Sequence, residues 1–151
     1  MNNTAPFQPD WYEGPVPPGS YRSIFKWGGP DEHKHPNLHL YELMKETFEM
    51  TDDDFRTPVN LGLEEVKFDI PIELAHEHIE AMANIVGSGN IARDDYSRLK
   101  ASYGKVIYDN IRLREGIIEN LPDIVVYPKH RQDVAKIVAY CNEHKIAVYP
   151  R

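Results

Sequence analysis

The residues best suited to proton transfer or metal ligation are the histidines, and there are seven of them. His33, His35 and His39 fall within one short stretch, DEHKHPNLHL, while His76 and His78 flank Glu77. Side chains two positions apart on a helix point about 200° from each other, so His76 and His78 cannot share a metal ion there. The helical zinc motif needs four-residue spacing, H-E-x-x-H, and this is H-E-H. His33 and His35 could converge in a loop, but no cysteine or clear acidic ligand set lies near them, so no metal site is expected. Asp52, Asp53 and Asp54 lack the glycine and terminal glutamate of an EF-hand loop and suit the cap of a short helical turn better. Cys141 is the only cysteine. It allows no internal disulfide and no cysteine-rich zinc site, and between Tyr140 and Asn142 it reads as a small core residue rather than a reactive thiol.

No G-x-G-x-x-G, Walker-type G-x-x-x-x-G-K or G-x-S-x-G occurs. Gly28-Gly29-Pro30 has no strand before it or helix after it and reads as a turn. Val86-Gly87-Ser88-Gly89-Asn90 reads as a helix terminator. No nucleophile, base and acid stand in a recognisable set, so the motifs alone give no catalytic residues.

The elements that would position any such chemistry belong to an ordinary globular chain. It has 151 residues, 41% hydrophobic and 27% charged, enough for a real core. The formal net charge of -7 argues against nucleic acid as a partner, because that binding runs on clustered Lys and Arg. No apolar run is long enough to span a membrane. The front of the chain has neither a basic n-region nor an apolar h-region, so a cytoplasmic protein is expected.

Residues 1–36 are rich in proline, glycine and aromatics. Pro15, Pro17, Pro18 and Gly19 forbid regular helix, yet Phe7, Trp11, Tyr12, Tyr21, Phe25 and Trp27 are too apolar for a solvated linker, so an extended arm that docks on a larger body is expected. Residues 37–116 read as a helical lead-in. A short helix covers Leu38 to Met50, and Val66 to Ile70 is a short strand. An amphipathic helix covers Pro71 to Val86, with Ile72, Ala75, Ile79, Met82, Ala83 and Val86 on one face, Pro71 in its first turn and Gly87 ending it. Asp94 or Asp95 caps a helical run through Lys100. A further helix from about Lys105 to Glu115 carries Ile107, Ile111 and Tyr103 or Arg114 on one side. The basic residues of this region, Arg93, Arg98, Lys100, Lys105, Arg112 and Arg114, read as a solvated face.

Residues 117–151 carry the clearest pattern. Asp123 to Tyr127 is a continuous β-branched run closed by Pro128, which suits a strand buried on both faces of a parallel sheet. Arg131 to His144 is a helix with Val134, Ile137, Val138 and Cys141 inward, and Asp133 in its first turn favours the helix dipole. Ile146 to Tyr149 is a second buried-type strand closed by Pro150. Strand, crossover helix and strand make a βαβ unit, which is right-handed when its strands are parallel. The fold class expected is α/β, or α+β over the whole chain.

The segment LREGIIENLPDIVVYPKHRQDVAKIVAYCNEHKIAVYPR closely resembles the start of the FAD-binding domain of the vanillyl-alcohol oxidase / p-cresol methylhydroxylase family. Within that family it looks most like the alkyldihydroxyacetonephosphate synthase branch. The matching positions are Pro122-Asp123-Ile124-Val125-Val126-Tyr127-Pro128, then Gln132-Asp133-Val134, then Ile146 to Arg151. Asp94 to Leu99, Tyr103-Gly104-Lys105 and Leu113-Arg114-Glu115-Gly116 resemble the helical lead-in of such enzymes, and Phe25-Lys26-Trp27-Gly28 resembles an arm near their front. The resemblance implies an incomplete FAD-binding domain, with the chain stopping where a glycine-rich, pyrophosphate-binding loop would follow. Pro150 and Arg151 are the positions it marks as cofactor-adjacent. It implies FAD as cofactor of the complete enzyme, with weak or absent binding by this chain alone. The chemistry implied is oxidation of a small organic hydroxy compound, or carbon–oxygen exchange with the flavin as electron sink. The partners implied are the remainder of the FAD-binding and substrate domains and a small-molecule substrate. A lone parallel unit also invites homo-oligomer formation. The alternative is a stand-alone, non-catalytic interaction module.

Overall fold

The computed structural model describes residues 7–12, 14–28, 35–56, 61–104 and 106–151. His33, Gly29, Pro30 and Lys105 lie outside the described residues. The chain forms two compact units, one of residues 1–65 and 105–117, the other of residues 66–104 and 118–151.

The first unit holds helices α1 (Tyr21–Phe25), α2 (Leu38–Phe48), α3 (Asp52–Arg56) and α6 (Ile107–Arg114). The prolines keep 15–19 out of helix, and α1 starts as soon as they end. Its N-cap is Ser20, whose hydroxyl accepts from the Ser23 amide at 3.3 Å and donates to the Pro17 carbonyl at 2.7 Å. The arm is therefore partly helical rather than extended throughout. The amides of Tyr21 and Arg22 reach the carbonyls of Glu64 and Gly62, and Glu65 forms an isolated antiparallel bridge with Ser20. Gly62, at φ +70°, sits where a Cβ would lie 3.1 Å from the Phe25 ring. Ile24 and Phe25 are buried, as is Leu113 of α6, and Arg114 lies over the Phe25 ring. Ile107 (65% exposed) and Ile111 do not form the inner face of α6; Leu113 does, so the expected face was misplaced.

Residues 7–12 pack on α2 and α3 of the same unit. Trp11 stacks on Phe55 with ring centroids 5.3 Å apart and planes 5° from parallel. Tyr41 of α2 leans on both Phe7 and Phe55. Offset stacking and tilted packing are the arrangements aromatic quadrupoles favour. Helix α2 ends at Phe48 because Glu49 turns left-handed, at φ 55°. The Asp52–Asp54 run opens α3, and Asp54 accepts both the amide and the hydroxyl of Thr51, at 2.7 and 2.8 Å. The run thus stabilises the helix start from within the first turn of α3, with Asp54 reaching back to Thr51, rather than supplying the N-cap itself.

The second unit holds α4 (His76–Val86), β1 (Ile91–Ala92), α5 (Asp95–Ser102), β2 (Val125–Val126) and α7 (Arg131–His144). Met82 and Val86 of α4 pack with Ile137 and Cys141 of α7, and Ile85, Ile91, Ile124, Val126, Tyr140 and Ile146 close around them. Each fully buried Met, Val or Ile contributes about 1.5–3 kcal/mol, so this layer is a substantial source of the unit's stability. Helix α4 starts at His76 with Ala75 as N-cap, not at Pro71. The reason is visible at Glu73, whose amide is taken by the Asp123 carboxylate at 2.7 Å. Gly87, at φ 90°, ends the helix as expected. Asp94 caps α5 by accepting from the Ser97 amide at 2.8 Å.

The mixed helix and strand content fits an α/β class, with three differences from expectation that leave the expected βαβ unit unformed among the described residues. Strand β2 pairs antiparallel with β1, Ile91 opposite Val126 and Ala92 opposite Val125. Among the described residues Ile146 to Tyr149 joins no ladder, and Val66 to Ile70 forms no strand. Pro128 and Pro150 each remove a backbone donor beside the apolar runs, and the antiparallel pair buries Ile91 and Val126 in the same core. Helix α7 has the bounds expected, but only Ile137 and Cys141 face inward; Val134 and Val138 are about half exposed (48% and 50%).

Candidate cofactor-binding segment

Three residues, Arg98 and Ser102 of α5 and Tyr103 at its C-cap, hold the lead into β2 and the tail that follows α7. The first is Arg98, which is 3% exposed. Its guanidinium donates to the carbonyls of Pro122 at 2.9 Å and Ile70 at 2.8 Å, with a longer contact to Pro71 at 3.4 Å. Its face also covers the Phe68 ring. Arg98 is thus not part of a solvated basic face. The planar fork of five donors lets one side chain satisfy several carbonyls of chain that has no ladder of its own.

Ser102 donates to the carbonyls of Glu119 and Asn120, at 3.2 and 3.0 Å. Tyr103 is buried; its hydroxyl accepts from the Glu119 amide at 3.1 Å, and its carbonyl accepts from the Arg151 guanidinium. The structure therefore brings Arg151 to the end of α5, while Pro150 and Arg151 both remain at the surface. At the other end of the segment, Asp133 accepts from the amides of Lys129 (3.1 Å) and His130 (3.0 Å). The start of α7 thus does not offer those two donors to a phosphate. The residues present do not by themselves complete a pyrophosphate cradle.

The remaining candidates separate. Cys141 is buried in the core, and burial pushes its thiol pKa up, away from a reactive thiolate. His35 is ringed by Phe7, Trp11 and Tyr12 at 5.3–6.4 Å between centroids, and His39 lies exposed on α2. Asp52 accepts from the Tyr41 hydroxyl and from Lys45 at 2.9 Å, and these two bonds hold its carboxyl below the usual range. Asp53 pairs with Arg56 at 3.2 Å. His76 faces Glu80 one turn along α4, whereas His78 points to α7. There its Nδ1 lies 2.9 Å from the Tyr140 hydroxyl, and its ring is 5.2 Å from that of His144. That grouping escaped the sequence. No spacing within either helix signals it; it follows from the packing of Met82 and Val86 of α4 against Ile137 and Cys141 of α7.

Comparison with known proteins supports one relationship. Over 118 residues the chain is 28% identical to alkyldihydroxyacetonephosphate synthase of Trypanosoma brucei brucei, covering 76% of this chain and 19% of that protein. This likeness, at modest identity and over part of the chain, supports a relationship to the FAD-linked oxidase family. Over 89 residues it is 38% identical to the synthase of the same name from Caenorhabditis elegans, covering 58% of this chain and 14% of the relative. A 31-residue stretch is 45% identical to the mitochondrial cytochrome D-lactate dehydrogenase of Arabidopsis thaliana, covering 20% of this chain and 6% of that protein. The chain thus spans less than a fifth of the length of these relatives. No family model matches, and no solved structure matches.

Proposed function

We propose that these residues form the N-terminal part of an FAD-dependent enzyme of the FAD-linked oxidase family, with chemistry like that of alkyldihydroxyacetonephosphate synthase. The observation that carries this reading is the match to the trypanosomal synthase across 76% of the chain. In the complete enzyme the flavin supplies the redox chemistry, acting as oxidant of a small hydroxy compound or as electron sink for carbon–oxygen exchange. The role of this chain is to hold the Pro122 to Arg151 segment. Arg98, Ser102 and Tyr103 anchor its lead and its last residue, so that Pro150 and Arg151 stand beside the cofactor. The rest of the FAD-binding and substrate domains would be its partners, and the cytoplasm its location. The test is flavin content. The native gene product that contains these residues should carry FAD, and the 151-residue protein alone should carry little.

A second reading, a stand-alone interaction module, draws support from the packed interior of the second unit around Met82, Val86, Ile137 and Cys141. A cooperative thermal melt of a 151-residue monomer at micromolar concentration, without flavin, would favour it.

A further inference from the structure

We propose that His78 and His144 form an interhelical two-imidazole site for a divalent transition metal of borderline softness, with zinc as the representative ion. Histidine is the commonest ligand for such ions, and this pair is supplied by two helices that the Met82–Cys141 core already fixes against each other. The ring centroids of His78 and His144 are 5.2 Å apart. Two imidazoles on one tetrahedral zinc, with Zn–N of about 2.0–2.1 Å, place their centroids about 5.2 Å apart. The observed ring spacing is thus compatible with a shared ion.

The surroundings of His78 fit the same role. Its Nδ1 lies 2.9 Å from the Tyr140 hydroxyl. Metal binding selects the tautomer in which Nδ1–H donates to that hydroxyl, leaving the Nε2 lone pair for the ion. A hydrogen bond on the far ring nitrogen is the usual way a ligand histidine is oriented. Nε2 sits 3.8 Å from a Glu77 carboxylate oxygen. That is long for a hydrogen bond, but inside the roughly 4.2 Å that a zinc shared between nitrogen and oxygen can span. Tyr140 also packs against His144, with centroids 4.1 Å apart, which restrains the second imidazole. Among the described residues no three His, Cys, Asp or Glu side chains are already gathered as a ligand set. The site is therefore a two-histidine chelate completed by water, with the negative charge of Glu77 beside it. It stands apart from the flavin reading and does not depend on it.

The test is titration of the 151-residue protein with zinc chloride, followed by calorimetry, alongside His78→Asn, His144→Gln and His76→Gln. His76 is the internal control, two residues away on the opposite side of α4 and engaged with Glu80. Loss of at least tenfold in affinity for the His78 and His144 variants, with less than twofold change for His76→Gln, is the expected result. Tyr140→Phe should weaken binding severalfold. Equal affinity of His144→Gln and the parent protein would overturn the proposal, as would a loss confined to His76→Gln. Copper(II) electron paramagnetic resonance of the unsubstituted protein is independent of how the variants fold. Hyperfine coupling to two imidazole nitrogens supports the site, and coupling to one or none refutes it.

Discussion

Replacing Arg98 by methionine removes the most heavily used side chain of the second unit. Methionine fills similar volume but offers no donor. Two carbonyls now bonded at 2.8 and 2.9 Å, those of Ile70 and Pro122, lose their partner in a place where the arginine is only 3% exposed. Hydrogen bonds to a charged group contribute about 1.5–3 kcal/mol each, which gives about 3–6 kcal/mol for the pair. Relief of the cost of burying a guanidinium offsets part of that, so a net loss of about 3 kcal/mol is expected. Against a typical stability of about 5–15 kcal/mol this is large. Urea unfolding followed by circular dichroism, which reports α4, α5 and α7, should show a lower midpoint with unchanged slope. Arg98→Lys keeps the charge but not the fork and should fall between the two. An Arg98→Met protein within about 0.5 kcal/mol of the parent would refute the reasoning, since that is the range expected for substitutions at unremarkable surface positions.

Asp133→Ala strips the carboxylate from the Lys129 and His130 amides and should cost about 1 kcal/mol in urea unfolding, as loss of a helix cap does. Gly62→Ala forces a side chain into φ +70° and within 3.1 Å of Phe25, so about 1–3 kcal/mol should be lost, seen as a lower melting temperature. Acid should loosen the α2–α3 contact. The Tyr41 hydroxyl and Lys45 lower the carboxyl pKa of Asp52, and the Thr51 amide and hydroxyl lower that of Asp54. Their folded pKa values lie below the unfolded ones, so the stability they add is present above the unfolded value and lost as pH falls through the folded value. Fluorescence of Trp11, stacked on Phe55, should therefore change below the ordinary carboxylate range, and Asp52→Asn should shrink that change; an identical acid profile in the variant would contradict the assignment.

Helix α7 was legible to the residue because its signals are local: apolar positions at helical spacing, Asp133 in the first turn and a clear strand on its N-terminal side. The same holds for the Asp94 cap and for Gly87. What the sequence could not show depends on partners distant in the chain. Asp123 takes the Glu73 amide and delays the start of α4. Ile91–Ala92 captures β2 into an antiparallel pair that no periodicity announces. Arg98 reads as one basic residue among several until Ile70 and Pro122 are seen around it. The marked positions Pro150 and Arg151 were named from resemblance, and the structure adds the Arg151 bond to the Tyr103 carbonyl. The His78, Tyr140 and His144 grouping needed the packing of two helices, not the spacing within one.

The flavin content of two proteins, measured after unfolding by separating and quantifying the released cofactor, tests the central claim most directly. The native gene product containing residues 1–151 is predicted to release close to one FAD per polypeptide, and the 151-residue protein alone far less. Stoichiometric flavin on the 151-residue protein, or none on the native gene product, would contradict the account.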